Sequence, residues 1–118
     1  MSRPIRIRLS RAKGFKLPPN TRSVSRPGPF GNPYRVQDAE AAGYRNPAAW
    51  CVVLFAEWLE GRHPQFVPGA REKLLARLPE LRGKNLGCWC ELAAPCHADV
   101  LLEIVAKMDA PPLPEAPA

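Results

Sequence analysis

Four side chains that can bind a metal ion lie in one short stretch, which constrains the fold more than any other part of the chain. Cys88, Cys90, Cys96 and His97 fall within ten residues and include three of the four cysteines of the 118-residue chain. The structure predicted around them decides whether these side chains meet.

The residues around these four predict a strand, a short loop and a helix. Residues 85–90 alternate as in a β-strand, which places both cysteines of that segment on one face. Residues 91–94 form the connection, and Pro95 favours the start of a helix. Cys96 and His97 are therefore predicted in a first helical turn, where free N–H groups and the helix dipole favour a thiolate. The apolar positions that follow have helical spacing: Val100, Leu101, Ile104, Val105 and Met108.

Three interpretations of these residues are open. Structural zinc takes four sulfur or nitrogen ligands, and Cys88, Cys90, Cys96 and His97 form such a set, although the spacing differs from the common zinc fingers. In the second interpretation, Cys96 is a nucleophile activated by the helix start, and His97 is its base in a catalytic pair. In the third, the cysteines are small apolar core residues.

Positive charge is concentrated in the first third of the chain. Up to Arg35 there are nine basic residues and no acidic one, whereas the remainder has eight basic and eleven acidic residues. The net charge of +6 therefore resides near the N-terminus. This asymmetry is typical of proteins that bind a phosphate-bearing partner, which can be a small molecule such as a nucleotide or a nucleic acid. A solvated basic face is the alternative.

A loop of residues 26–34 lies within this basic region and contains several prolines, glycines and two aromatic residues. Prolines fix the backbone and glycines permit close approach, so the loop is predicted to be rigid. It can form a wall of a ligand site, or its aromatic side chains can fill the core. The predicted ligand-binding residues are Arg11, Lys13, Arg26, Phe30, Asn32 and Tyr34.

The remaining pattern predicts a small single α/β domain of about three strands and three helices, with long Pro/Gly-rich N-terminal loops. Residues 5–9 alternate between apolar and basic side chains, which predicts a half-buried strand with its arginines, Arg6 and Arg8, in solvent. A second short strand is predicted over 21–25. The strand that carries Cys88 is predicted to be central.

Two further helices are predicted between these strands. The first follows Asn46, ends at Gly61 and has an apolar stripe that includes Trp50 and Cys51, and Cys51 is predicted to be a core residue and not a ligand. The second runs from about residue 69 to 78, and a proline follows it.

The chain is predicted to form one domain over residues 1–109, followed by a flexible Pro/Ala-rich tail over 110–118. No apolar run approaches the roughly 20 residues that a membrane span needs, so no membrane partner is expected. The N-terminus lacks the apolar segment of a signal peptide. A cytoplasmic location with reduced cysteines is therefore expected.

Two blocks of the sequence resemble domain of unknown function 4326, a family of phage and actinobacterial proteins. The first block is CWCELAAPCHADVLLEI, residues 88–104. The second consists of RLSRAKGFKLPPNT and VSRPGPFGNPYRV, residues 8–21 and 24–36. The resemblance implies that the four Cys/His residues belong to a recurring signature, and that the location is the host cytoplasm if the chain is phage-encoded. It implies no particular activity.

The leading hypothesis is a domain that binds a phosphate-bearing ligand beside Cys96 and His97. The predicted unit places a helix N-terminus at the carboxyl end of a strand, where α/β proteins bind ligands and anions. Catalysis is left undecided, and zinc is the one cofactor considered. The alternatives are a zinc-stabilised nucleic-acid-binding module without catalysis, and a phage structural or interaction protein with packed cysteines.

Overall fold

The strand that ends at Cys88 is the centre of the sheet. The computed structural model describes residues 4–26 and 28–109, with the backbone alone for residue 109. Strands β1 (Arg6–Arg8), β2 (Thr21–Ser23) and β3 (Asn85–Cys88) form a three-stranded sheet in the order β1-β3-β2. Both pairings are parallel. The predicted α/β class and the central position of β3 are confirmed.

The composition of β3 explains its central position. Leu86, Gly87 and Cys88 are all buried, as expected for a strand with neighbours on both sides. A Cβ atom at Gly87 would lie 2.9 Å from Cδ2 of Leu9. Because glycine has no Cβ atom, the Leu9 side chain can pack directly against the backbone of β3. Gly87 therefore sets how closely the end of β1 packs on β3.

Four α-helices and one 3-10 helix complete the described part of the chain. They are α1 (Val36–Ala41), α2 (Pro47–Leu59), α3 (Ala70–Arg77), the 3-10 helix Leu78–Leu81, and α4 (His97–Asp109). The three longer α-helices correspond to those predicted. Helix α1 was not predicted, because six residues are too few to establish a helical period.

The core lies between the sheet and helices α2 and α4. The largest fully buried side chains include Phe30, Phe55, Leu81, Leu86 and Leu101. Cys51 is buried in this core as predicted. Trp50 belongs to the predicted apolar stripe, but its side chain is 41% exposed and contacts Tyr44, with ring centroids 5.3 Å apart. Apolar spacing identifies a helical stripe but not the edge of that stripe that remains in solvent.

The prediction that Arg6 lies in solvent was wrong, because its side chain is only 8% exposed. Its Nη2 atom donates hydrogen bonds to the carbonyl oxygens of Glu91, Leu92 and Ala94, at 2.5 to 3.2 Å. Its Nε atom lies 3.5 Å from Oδ1 of Asp99. A guanidinium can be buried when several oxygens replace its water, and these oxygens come from residues more than 80 positions away.

The parallel arrangement determines where the loops meet. Because all three strands point the same way, the segments that follow them emerge at one edge of the sheet. These segments begin at Leu9, Val24 and Trp89. Helix α4 begins after the connecting loop of residues 91–94, so its N-terminus reaches the same edge.

Some predictions concern parts of the chain that the structure does not describe. The proposed flexible tail, residues 110–118, lies outside the described residues. Within the described ranges, no helix combines the length and apolar character that a transmembrane span requires.

Replacement of Arg6 by Met is expected to lower the free energy of unfolding by about 2 kcal/mol, because three carbonyl oxygens lose their donor. Arg8→Met is the matched control, since Arg8 is exposed on the same strand, and its effect should stay within about 0.5 kcal/mol. Urea denaturation of both variants measures the difference. Equal stabilities of the two variants would show that Arg6 does not hold the connecting loop.

Candidate functional site

The connecting loop brings two pairs of residues together into a cluster of Cys88, Cys90, Cys96 and His97, called here the Cys/His cluster. Cys88 ends β3, Cys96 immediately precedes α4, and His97 is its first residue. The sulfur atoms of Cys88 and Cys90 are 3.6 Å apart. Sγ of Cys96 and Nδ1 of His97 are 3.8 Å apart. The ligand atoms of Cys88, Cys96 and His97 all lie within 4.8 Å of one another.

The orientation of the His97 ring is fixed from two sides. Its Nε2 atom lies 2.8 Å from the backbone oxygen of Val24, which can only accept a hydrogen bond. Nε2 therefore carries a hydrogen, and in the neutral ring Nδ1 presents its lone pair toward Cys96. The ring of Phe55 packs edge-on against the imidazole at 5.3 Å. Such a fixed tautomer is typical of histidine ligands, which donate their second N–H to a carbonyl or carboxylate.

The thiols differ in their tendency to lose a proton. A hydrogen bond from Cys88 is the main cause that lowers the pKa of Cys96 to about 3, and the backbone N–H of Ala98 acts in the same direction against burial. The shared proton and burial raise the pKa of Cys88 far above its usual range. Burial, followed by the interaction with Cys96, raises the pKa of Cys90. One thiolate is thus stabilised by neighbours that keep their protons.

Arg6 supplies a positive charge beside this thiolate. Burial lowers the pKa of Arg6, but its interactions with Cys96 and Asp99 outweigh that effect and raise the pKa above its usual value. The Nη1 atom of Arg6 is buried, and among the described residues it has no hydrogen-bonding partner. The guanidinium therefore joins the connecting loop to the cluster, and its Nη1 atom remains able to donate a hydrogen bond to a further acceptor.

The cluster lines one side of a cleft of about 400 Å³ at the carboxyl edge of the sheet. The segment after β1 contributes Arg11, and the segment after β2 contributes Ser25, Arg26, Asn32 and Tyr34. Trp89 also lines this cleft, and in the sequence it lies between Cys88 and Cys90 of the cluster. The N-terminal basic residues and the Cys/His cluster thus meet in one place.

Two of the predicted ligand-binding residues are largely occupied in holding the loop. Nδ2 of Asn32 donates a hydrogen bond to the backbone oxygen of Cys51, and its Oδ1 accepts one from the backbone N–H of Tyr34. The Tyr34 ring stacks on Phe66, with ring centroids 4.1 Å apart. Asn32 and Tyr34 therefore form a fixed wall, whereas the guanidinium groups of the cleft are the side chains suited to bind an anion.

Two other predicted ligand-binding residues do not line the cleft. Lys13 is exposed elsewhere in the loop between β1 and β2. Phe30 is fully buried in the core, with the guanidinium groups of Arg22 and Arg77 5.5 and 5.7 Å from its ring centroid. The interpretation that the aromatic residues of the loop fill the core therefore applies to Phe30, whereas Tyr34 lines the cleft.

Sequence reasoning missed two residues at this site. Nothing local distinguishes Arg6 from an exposed strand arginine, because its partners are 85 to 88 residues away in sequence. Trp89 did have a signal, since it lies between two predicted ligands, but the alternation predicted for residues 85–90 places it on the face opposite those ligands. The strand ends at Cys88, so the alternation that places Trp89 on that face does not extend to it.

The arrangement has two chemical capacities. The Cys/His cluster offers sulfur and nitrogen atoms, close together and largely shielded from water, which suits a soft divalent metal ion. The arginines of the cleft suit an anion. Cys96 is only 1% exposed, so its sulfur is better placed to be held by its neighbours than to attack a substrate.

Neither a curated protein nor a solved structure matches the chain. A family model described as "Domain of unknown function (DUF4326)" matches residues 7–107. The match includes all four residues of the Cys/His cluster and both arginines of the cleft. Because it spans most of the sequence, the chain belongs to the DUF4326 family.

Proposed function

We propose that this domain holds a zinc ion in the Cys/His cluster and binds a phosphate-bearing ligand, a nucleotide or nucleic acid, in the adjoining cleft. The observation that carries the proposal is that the cluster and the two arginines, Arg11 and Arg26, line the same cleft. The metal organises the cleft, and the arginines bind the ligand.

The spacing of the cluster supports zinc. In tetrahedral zinc sites, the bond lengths require sulfur atoms about 3.8 Å apart and sulfur and nitrogen about 3.6 Å apart. The Cys88–Cys90 and Cys96–His97 separations are 3.6 and 3.8 Å. The ligand atoms of Cys88, Cys96 and His97 lie within 4.8 Å of one another, and Cys90 adjoins this set through its contact with Cys88. Contraction of these three positions, with Cys90 drawn in as the fourth ligand, would complete a tetrahedron.

The charge around the cluster also supports zinc. Three thiolates and a neutral histidine would leave a zinc site with one net negative charge, and a buried charge needs a partner. Arg6 is buried beside Cys96 and carries the opposite charge. Its Nη1 atom has no partner among the described residues and can donate to a ligand sulfur, an arrangement typical of the outer shell of metal sites.

The position of the cleft supports an anionic ligand. Ligands of open α/β sheets bind beyond the carboxyl ends of the strands, and this cleft lies at that edge. The loop that carries Arg26 is tightly folded, since a Cβ atom at Gly31 would lie 2.5 Å from Cγ of Arg26. This close packing holds the start of the arginine side chain in place and reduces the entropy that ligand binding must overcome.

The competing interpretations use the same residues differently. The thiolate character of Cys96 favours a reactive thiol with His97 as its partner, and burial of Cys88 and Cys96 favours simple packing. The fixed His97 tautomer and the buried Arg6 fit the metal interpretation, and the 1% exposure of Cys96 weighs against a thiol that attacks a substrate. A cytoplasmic location, in the host if the chain is phage-encoded, fits a zinc site because all four cysteines are free.

Elemental analysis of the purified, tag-free protein is expected to give one zinc ion per chain. Cys96→Ser should lose the ion and lower the apparent free energy of unfolding by more than about 3 kcal/mol, because metal binding contributes directly to folding. Cys51→Ala is the control, since Cys51 is a buried cysteine outside the cluster, and it should retain the metal. A stable wild-type protein free of metal would refute the zinc site.

Zinc affinity is expected to fall as the pH falls. The pKa values of Cys88 and Cys90 are raised, so both thiols are protonated in the metal-free protein at neutral pH, whereas Cys96 is already a thiolate. Binding should therefore release about two protons, and the apparent affinity should change about 100-fold per pH unit near neutrality. Competition with a chromophoric chelator, corrected for the chelator's own protonation, measures this slope. A flat profile would argue against thiol ligands.

Arg26→Gln is expected to weaken the binding of thymidine diphosphate about 10-fold, because a charge-assisted hydrogen bond to phosphate is lost. Isothermal titration at several salt concentrations should also show a shallower salt dependence. Arg45→Gln is the matched control, since Arg45 is exposed and does not line the cleft. Equal effects of both substitutions would indicate a general effect of charge and no specific site.

A further inference from the structure

Trp89 is the large apolar side chain at the mouth of the cleft, and it remains 45% exposed. The guanidinium carbon of Arg11 lies 5.2 Å from the centroid of its ring. An exposed aromatic ring with an arginine against it combines two features by which proteins hold unpaired bases.

A second groove, of about 680 Å³, is also lined by this tryptophan. Its lining residues are Arg8, Leu9, Ser10, Arg11 and Trp89, and Arg11 and Trp89 also line the cleft. The groove and the cleft therefore adjoin at this pair. Of the described residues that line either one, none is acidic, which favours a polyanion.

Both the groove and the cleft are lined by basic side chains. Arg8 lies in the groove, Arg26 lies in the cleft, and Arg11 borders both. A single phosphate group would use only part of this set. A chain of consecutive phosphates that passes Trp89 would use all of it, with one base on the indole ring.

We propose that Trp89 is a base-stacking residue for single-stranded nucleic acid, and that the phosphates of the strand run from Arg8 past Arg11 to Arg26. This inference rests on the proposed phosphate-binding function and names its ligand class. An unpaired strand is required, because a base inside a duplex is stacked on its neighbours and cannot reach the ring.

The zinc site would also fix the stacking residue. Trp89 is flanked by Cys88 and Cys90, so a metal bound to both sulfurs holds the backbone on either side of the indole ring. This gives the C-W-C sequence a physical reason, because the ligands position the residue between them. Removal of the metal is therefore expected to weaken stacking even though the arginines are unchanged.

The test measures fluorescence anisotropy with two labelled strands of about 12 nucleotides, within the range that a small domain covers. One strand is oligothymidylate, and the other has the same phosphates without bases. Trp89→Ala should weaken binding of oligothymidylate about 10-fold and leave the abasic strand unchanged, since stacking needs a base. Trp89→Phe should retain most of the affinity. Arg26→Gln should weaken both strands.

Trp50→Ala is the matched control, because Trp50 is similarly exposed on α2 but does not line the cleft or the groove. It should bind both strands as the wild type does. The zinc content and thermal unfolding of each variant show whether it is folded. If Trp89→Ala is not folded, Trp89→Leu carries the test, because leucine keeps an apolar side chain without an aromatic ring and should weaken only the binding of oligothymidylate. The inference also predicts that a hairpin duplex of the same length binds more weakly than oligothymidylate.

The outcomes separate this inference from the proposed function. If both strands bind and depend on Arg26, but replacement of Trp89 affects them equally or not at all, the stacking inference is wrong and the phosphate site stands. An equal loss in Trp50→Ala would also overturn it. If neither strand nor thymidine diphosphate binds the wild-type protein, the proposed function fails, and the inference fails with it.

Discussion

The buried guanidinium of Arg6 is the interaction on which the site depends most. The Cys/His cluster is assembled from two segments, and the four residues that connect them have no regular structure of their own. Arg6 binds three carbonyl oxygens of that loop and contacts the cluster at the same time. Because Arg6 lies on β1, which is hydrogen-bonded to β3, the position of the loop is fixed relative to the sheet. The burial of this charge is possible only while all of these partners are in place.

The sheet explains how the Cys/His cluster and the arginines of the cleft share one location. Parallel strands deliver every following segment to the same edge, where the N-terminus of α4 also lies. The cysteine and histidine side chains come from the end of the central strand and from the helix start, and the arginines come from the segments after the two outer strands. Two of the basic residues from the first third of the chain, Arg11 and Arg26, therefore lie beside the Cys/His cluster.

The parts of the fold that sequence reasoning found are those encoded by neighbours in the chain. The alternation before Cys88 and the helical spacing after Cys96 are local, so β3, the connecting loop and α4 were predicted near their observed bounds. The features that were missed depend on distant partners. Arg6 is buried by residues 85 or more positions away, and Phe30 lies inside the core because helices and strands close over it. The spacing of the four ligands indicated a cluster, but only the fold supplies the carbonyl of Val24 that orients His97.

That carbonyl also links the Cys/His cluster to the cleft. Val24 accepts the hydrogen bond from His97, donates its own N–H to the backbone oxygen of Gly87 in the central strand, and lies two residues before Arg26. A bound metal that shifted the imidazole would therefore act on the segment that carries a cleft arginine. Occupation of the metal site and occupation of the cleft would then be energetically coupled, and thermodynamics requires such coupling to be reciprocal. In that case a bound strand would slow the loss of zinc, and the domain would keep its metal best when it is in use.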